Sequence, residues 1–325
     1  MPRQVGADDP VRVAVVGAWH VHAVDYARRA LEHPGTELVA LWDDDPARGA
    51  ALAAELGVPA TAELEGLLAR ADVDAVTITT ATRDHHDVML RAAAAGKHVF
   101  TEKLLAPTVV EAEAIIAAAD AAGIALAVSL PRLYHGPTRA VDDVLAAGTL
   151  GRLTYARVRL AHDGAVAGWL PERFFDRAAA IGGALTDLGC HPVYLVQRFL
   201  GADADTVTAT YGSFTGRAVE DHAVVTLGYA DGRIGVIEAG FVSAGEYAIE
   251  LHGTEASLHY DGTTLRVAGA ERDVPPDGED AFAQWVGHIR AGTRADDNLA
   301  RAVALTRLVV AANAAAAGAR AHALA

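Results

Sequence analysis

Three groups of residues in this chain have the types and spacing that chemistry needs. The first is Glu102-Lys103, which follows the short run His98-Val99-Phe100-Thr101. If that run is a buried parallel strand, the pair stands at its carboxyl end, the edge where open α/β sheets hold ligands in a crevice. A lysine there can favour a developing oxyanion, or the two residues can be a solvated surface pair. The second group is Asp187 and His191 within Gly182-Gly183-Ala184-Leu185-Thr186-Asp187-Leu188-Gly189-Cys190-His191-Pro192. On a helix, residues four apart meet on one face, where a carboxylate can orient an imidazole as general base for a hydroxyl proton. The same residues also suit a helix-end Asp and a capping His around a proline kink. The third is His20 and His22, whose H-x-H spacing invites a metal. Residues two apart share a face only on a strand, so at a strand-to-helix turn the rings are expected to diverge, and no metal site is assigned.

The elements that must position these groups alternate through the first 130 residues. Apolar β-branched runs at 11–16, 37–42, 75–80, 98–101 and 124–128 read as strands, and 22–31, 47–56, 63–69, 84–95 and 109–122 as helices. Gly57 and Gly96 mark helix stops. Strand-helix alternation of this kind predicts βαβ units with a parallel sheet, a doubly wound Rossmann domain over 1–130. From about residue 150 the runs become longer and alternate: 153–160, 206–211, 223–229, 233–239, 247–252, 256–260 and 264–267, with a hairpin signal at Asp231-Gly232. These predict an α+β domain over 131–325 built on an open-faced, mainly antiparallel sheet. One helical insertion falls near 183–200, and terminal helices at 281–291 and 296–316 can pack back on the first domain.

Composition narrows the partners. With 27 basic against 42 acidic residues and a formal charge of −15, the chain repels nucleic acid and anionic membranes. A single cysteine, Cys190, suits a reducing compartment, so a cytoplasmic protein is expected. Residues 1–10 hold no apolar stretch, and Arg307 and Arg320 interrupt the alanine-rich tail, so no signal peptide or membrane span is expected.

The turn after the first strand, Gly17-Ala18-Trp19-His20, is where a dinucleotide fold holds its pyrophosphate against helix amides. Of the G-x-G-x-x-G fingerprint only Gly17 is present, with Trp19 and His22 at the other two glycine positions. Asp43, at the end of the second strand, stands where a carboxylate accepts ribose hydroxyls; Asp44 beside it would repel a 2′-phosphate, which favours NAD over NADP. Asp43 to Asp45 can also cap the helix that begins at Pro46, and Asp45 is expected to.

Taken together, these features resemble the Gfo/Idh/MocA family of glucose-fructose oxidoreductase and inositol dehydrogenase. Ala95-Gly96-Lys97-His98-Val99-Phe100-Thr101-Glu102-Lys103 is similar to its A-G-K-H-V-x-x-E-K-P element, and Gly183 to Pro192 to its G-A-L-x-D-x-G-x-H element. Thr80-Ala81-Thr82-Arg83-Asp84-His85 resembles its T-P-x-x-x-H loop, with Ala81 for proline, and Leu104 replaces the proline after the lysine. The resemblance implies Lys103, Asp187 and His191 as a catalytic trio. It implies NAD contacts from Gly17, Ala18, Trp19, His20, Asp43, Asp44, Thr80, Ala81, Thr82, His85, Glu102 and Lys103. Substrate contacts would come from Arg132, Tyr134, His162 and Trp169, with core Trp169 and an interdomain pair for Arg132 as the plainer alternatives. The implied activity is hydride transfer from a secondary alcohol of a sugar, sugar derivative or cyclitol, in a homodimer or homotetramer. NAD-assisted glycoside cleavage, or a non-catalytic ligand-binding role as in the yeast galactose repressor, are the alternatives.

Overall fold

The β-branched run after Pro10 forms strand β1 (Val11–Val16), and the chain then alternates as its periodicity requires. Helix α1 (Ala23–Glu32), β2 (Thr36–Trp42), α2 (Pro46–Leu56), α3 (Leu64–Leu68), β3 (Ala75–Ile78), α4 (His85–Ala94), β4 (His98–Thr101), α5 (Val109–Ala122) and β5 (Leu126–Val128) follow. The computed structural model describes residues 2–3, 5–6 and 9–318, so Arg320 lies outside the described residues. The chain divides into two units: unit 1 runs to Leu130 and takes in Glu279–Thr306, and unit 2 is Pro131–Gly278 with the chain from Arg307.

In unit 1 the five strands are all parallel, in the order β2-β1-β3-β4-β5. Every residue of β3, β4 and β5 is buried, as strands covered by helices on both faces must be. Asp45 caps α2 through the amides of Ala47 and Arg48 at 3.0 and 3.2 Å, and Gly57 and Gly96 close their helices with φ of 70° and 69°. His98 is buried on β4, where its Nδ1 accepts the Ala125 amide at 2.9 Å. Burial lowers its pKa to about 4. The unfolded imidazole titrates near 6.5, so the stability this residue contributes is complete above that pH and is lost as pH falls towards 4. Between pH 7.5 and 4.5 the stability advantage of wild type over His98→Asn, whose Oδ1 can accept the same amide, is expected to shrink by about 2–3 kcal/mol in urea unfolding. A difference that stays constant with pH would contradict this.

Unit 2 begins with helix α6 (Gly136–Ala146) and strand β6 (Leu153–Ala161). Three single-turn helices, α7 (Gly164–Ala167), α8 (Arg177–Ala180) and α9 (Ala184–Asp187), lead to α10 (Cys190–Leu200). Strands β7 (Thr206–Gly212), β8 (His222–Gly228), β9 (Ile234–Gly240), β10 (Glu246–Gly253), β11 (Ser257–Tyr260), β12 (Leu265–Val267) and β13 (Ala270–Arg272) complete it. The eight-stranded sheet runs β13-β12-β11-β10-β6-β9-β8-β7, antiparallel except where β6 meets β9. Along β8 buried Ala223, Val225 and Leu227 alternate with exposed His222, Val224 and Thr226, so one face is covered and the other open. On the covered face α10 packs over β9 at Gly235, where an added Cβ would come within 2.8 Å of Val196. The single insertion helix expected over 183–200 is two helices. Gly189 bonds back to the Ala184 carbonyl at 2.8 Å, a wide turn, and Pro192 has no amide to continue a helix except in a first turn.

The last two helices are α11 (Ala281–Ala291) and α12 (Asp296–Gly318). Within unit 1, Trp285 of α11 is fully buried against Phe100 and Phe282 and donates its indole N–H to the Ala125 carbonyl at 3.1 Å. Asn298 completes the edge of β5, exchanging bonds of 2.7 and 2.8 Å with Val128. Helix α12 is long and apolar enough to cross a membrane by length and composition, yet Leu299, Ala302, Leu305, Val309 and Ala312 form one buried stripe along it.

Candidate active site

In unit 1 the site is built at the carboxyl ends of β1, β2, β3 and β4. Gly17 leaves β1 with φ +94°, and an added Cβ would lie 2.5 Å from the Thr80 amide, so the close approach of turn and loop requires glycine. Its carbonyl accepts the Thr79 hydroxyl, and the His20 amide reaches the Thr79 carbonyl at 3.0 Å. Ala18, Trp19 and His20 are all buried. The rings of His20 and His22 do not diverge as expected: their centroids are 5.0 Å apart, because the turn folds back so that the His22 amide donates to His20 Nδ1 at 3.2 Å. Among the described residues no group of three side chains could hold a metal.

Asp43 stands at the end of β2, where the sequence places it. Its side chain is fully buried and occupied within the chain: Oδ2 accepts the Ala18 amide, and Oδ1 accepts the Asp45 amide at 2.7 Å and lies 2.6 Å from the Arg48 guanidinium. Burial raises its pKa, against these donors. Asp43 thus ties the glycine turn to α2, and the half-exposed carboxylate near it is Asp44, which also pairs with Arg48 at 2.6 Å. Arg48, four residues past Asp44, is a residue the motif reading missed; an acidic cluster followed by arginine at i+4 was its signal.

Lys103 and Glu102 do form a pair, but not a solvated one. Lys103 Nζ lies 3.0 Å from Glu102 Oε1, and both side chains are 2% exposed. Nζ also stands 3.5 Å from His20 Nε2, and the Tyr26 hydroxyl of α1 donates to Glu102 Oε2. Burial alone would raise the Glu102 pKa, but Lys103, His20, His22 and Tyr26 more than reverse it and keep the carboxylate ionised. The Lys103-Leu104 peptide is cis, and the Leu104 carbonyl accepts His85 Nδ1–H at 2.7 Å. Burial lowers the His85 pKa, against the Leu104 carbonyl, which raises it. His85 Nε2 and the Thr80 hydroxyl are buried without a hydrogen-bond partner in the described structure. Ala81 and Thr82 are buried in the same loop. Two buried polar atoms without a hydrogen-bond partner, on the loop that lies against the Gly17 turn, fit a dinucleotide.

In unit 2 the Glu220 carboxylate caps α9 by accepting the Gly183 and Leu185 amides at 2.9 and 3.1 Å, with its pKa raised by burial. That cap fixes the turn that ends in Asp187. Burial lowers the His162 pKa, and the carboxylates of Asp187 and Asp163 oppose it. His191 Nδ1 is 2.8 Å from the Tyr194 hydroxyl, whose oxygen accepts the Arg132 amide at 3.0 Å. Tyr194, three residues on along α10, is a partner of the His191 ring that the motif reading overlooked, although its i+3 position signalled it. His162 stacks on Phe241 at 4.9 Å and 15° and touches Trp169 at 4.6 Å. Trp169 is not core: it is 53% exposed and anchored by its indole N–H to Asp163 at 2.9 Å. The Arg132 guanidinium lies over Tyr247, 4.2 Å from the ring centre, and Tyr134 is half-buried with its carbonyl holding the Gly278 amide at 2.7 Å.

Residues 11–130 match the oxidoreductase family with an NAD-binding Rossmann fold, and residues 138–259 match the Gfo/Idh/MocA C-terminal domain. The chain is 31% identical over 283 residues to a 1,5-anhydro-D-fructose reductase of Ensifer adhaerens, covering 82% of this chain and 83% of that one. It is 27% identical over 286 residues to a scyllo-inositol 2-dehydrogenase (NAD(+)) of Bacillus subtilis, covering 84% and 82%. The crystal structure of GenD2 from gentamicin A biosynthesis in complex with NAD superposes with a TM-score of 0.83 at 27% identity, covering 98% of both chains. The chain belongs to the Gfo/Idh/MocA family of oxidoreductases.

Proposed function

We propose that this protein is an NAD-dependent oxidoreductase that interconverts a secondary alcohol and a ketone on a sugar, sugar derivative or cyclitol. The observation that carries the reading lies within unit 1: the 3.5 Å contact of Lys103 with His20 joins the candidate catalytic amine to the glycine turn. A buried ammonium at the end of β4, beside the turn that would hold the dinucleotide, suits charge developing on a substrate oxygen. When bound, the nicotinamide supplies or takes up the hydride. Gly17, Ala18, Trp19, His20, Thr80, Ala81, Thr82, His85 and Glu102 would hold it, with Asp43 acting through the backbone it braces.

In this reading Lys103 favours the charge that develops on the reacting oxygen, and His191, oriented with Asp187, exchanges its proton. His162, Trp169, Arg132 and Tyr134 receive the substrate. The exposed face of Trp169 and the polar edge of His162 suit a ring that is apolar on its C–H face and polar at its hydroxyls. The two relatives named above act on an anhydrosugar and on a cyclitol. Absorbance at 340 nm with a panel of sugars, ketosugars and inositols tests the reading; no turnover with any of them, in either direction, would remove it.

The preference for NAD rests on charge. Asp44 keeps a half-exposed carboxylate beside the paired Arg48, where a 2′-phosphate would have to settle. Asp44→Ser removes that repulsion and frees one arm of Arg48. The ratio of kcat/KM for NADP+ to that for NAD+ is expected to rise roughly 10-fold. An unchanged ratio would show that the ribose does not approach this cluster.

A further inference from the structure

We propose that the adjacent carboxylates of Glu220 and Asp221 are positioning residues that divide the supports of unit 2 between them. Glu220 sets the turn that carries Asp187, and Asp221 sets the loop that clamps the segment between His162 and Trp169. The inference rests on the reading above, in which Asp187 orients the proton-exchanging imidazole and His162 and Trp169 receive the substrate. All of these residues belong to unit 2.

Helix α9 is a single turn, too short to hold its place by its own hydrogen bonds. The amides of Gly183, Ala184 and Leu185, which open it, are all taken by Glu220. The Glu220 carbonyl accepts the Ala184 amide at 2.9 Å, and a single carboxylate oxygen, Oε1, accepts those of Gly183 and Leu185 at 2.9 and 3.1 Å. The approach is so close that a Cβ on Gly183 would lie 2.0 Å from the Glu220 carbonyl oxygen. The Asp187 amide in turn donates to the Gly183 carbonyl at 3.0 Å, so the place of Asp187 follows from the carboxylate.

Asp221 works with both of its oxygens. Its side chain is fully buried, with Oδ1 accepting the Phe214 amide at 2.9 Å and Oδ2 the Thr215 amide at 2.7 Å. His222 Nδ1 meets Oδ1 at 2.8 Å. These bonds fold the loop that bears Arg217, whose guanidinium lies 3.9 Å over the Phe175 ring and donates to the Ala165 carbonyl at 2.8 Å and to Glu172 at 2.7 Å. Ala165 belongs to α7, which His162 and Trp169 flank, and a Cβ on Gly164 would come 3.0 Å from an atom of each ring, so a shift of α7 moves both. The Asp221 carbonyl also accepts the Phe241 amide at 2.7 Å, and Phe241 is the ring on which His162 stacks.

Because Glu220 uses one oxygen and Asp221 uses two, their amide variants should differ. Glu220→Gln keeps Oε1 for both donors, whereas Asp221→Asn sets an NH2 group against the Thr215 amide. Hydrogen exchange of the free full-length protein, read by mass spectrometry, is the first test. Glu220→Ala is expected to speed exchange over residues 183–189 about 10-fold or more, Glu220→Gln to leave it as in wild type, and Asp221→Asn to speed exchange over 213–218 alone. Steady-state kinetics is the second. Glu220→Ala is expected to lose about 10²-fold in kcat with substrate KM within about threefold, as for a reacting group misplaced by about 1 Å, and Glu220→Gln to restore kcat to within about threefold. Asp221→Asn is expected to raise substrate KM about 10-fold with kcat within about threefold. A glutamine variant as poor as alanine, an asparagine variant that lowers kcat and leaves KM alone, or exchange that neither change alters overturns the proposal. The two isosteric variants are expected to fold, and their contrast decides the question even where Glu220→Ala does not fold. A wild-type protein that turns over no nicotinamide overturns the underlying reading and the positioning role with it; that failure is separable, because exchange is measured on the free protein.

Discussion

Replacing Lys103 by methionine is expected to lower kcat about 10³-fold while NAD affinity stays within a few-fold of wild type. Methionine keeps the length and apolar volume of the stem, so the cavity term is small and the lost group is the ammonium. That group sits 3.0 Å from Glu102 with its side chain 2% exposed, a position where a charge is held by its partner and not by water. It is also the only one of the three candidate catalytic residues supplied by unit 1. Steady-state kinetics by absorbance and calorimetric titration with NAD together decide the matter. Turnover within 10-fold of wild type would mean that the amine merely neutralises Glu102, and both weakened turnover and lost NAD binding would mean that it supports the cofactor site.

The second large effect is on folding. Glu102→Gln is expected to destabilise the protein by about 3–5 kcal/mol in urea unfolding, because it leaves a buried ammonium without its carboxylate. The Tyr26 hydroxyl, which donates to the same carboxylate, loses its charged acceptor as well. Glu102→Gln combined with Lys103→Met removes both charges, so the double variant is expected to recover at least half of the loss. That non-additivity separates a coupled pair from two independent packing defects. If the single and double variants are equally unstable, the pair is not what holds this corner of the sheet.

Much of the fold was legible because burial imposes period. Strands covered on both faces, such as His98–Thr101, read as short apolar runs, and the half-covered strand His222–Gly228 reads as alternation. Helix stops at Gly57 and Gly96 were equally plain, since only glycine takes their left-handed φ without cost. The break at Gly189 was not, because a wide turn depends on which carbonyl the amide finds. Asp45 was correctly read as a cap because capping is local.

The candidate site divides along the same line. Residue type and spacing alone singled out Gly17, Lys103, Asp187 and His191, since they lie at strand ends or within a few residues of one another along the chain. Which atoms they meet was decided by approaches between distant segments: Tyr26 onto Glu102, His20 onto Lys103, Ala18 onto Asp43, and the Arg132 amide onto Tyr194. Those contacts determine the charge of Glu102 and the surroundings of the His191 ring. A sequence records which groups can ionise or donate; their protonation is settled by the neighbours and the burial that folding brings to them, because both act over a few ångströms in space and not along the chain.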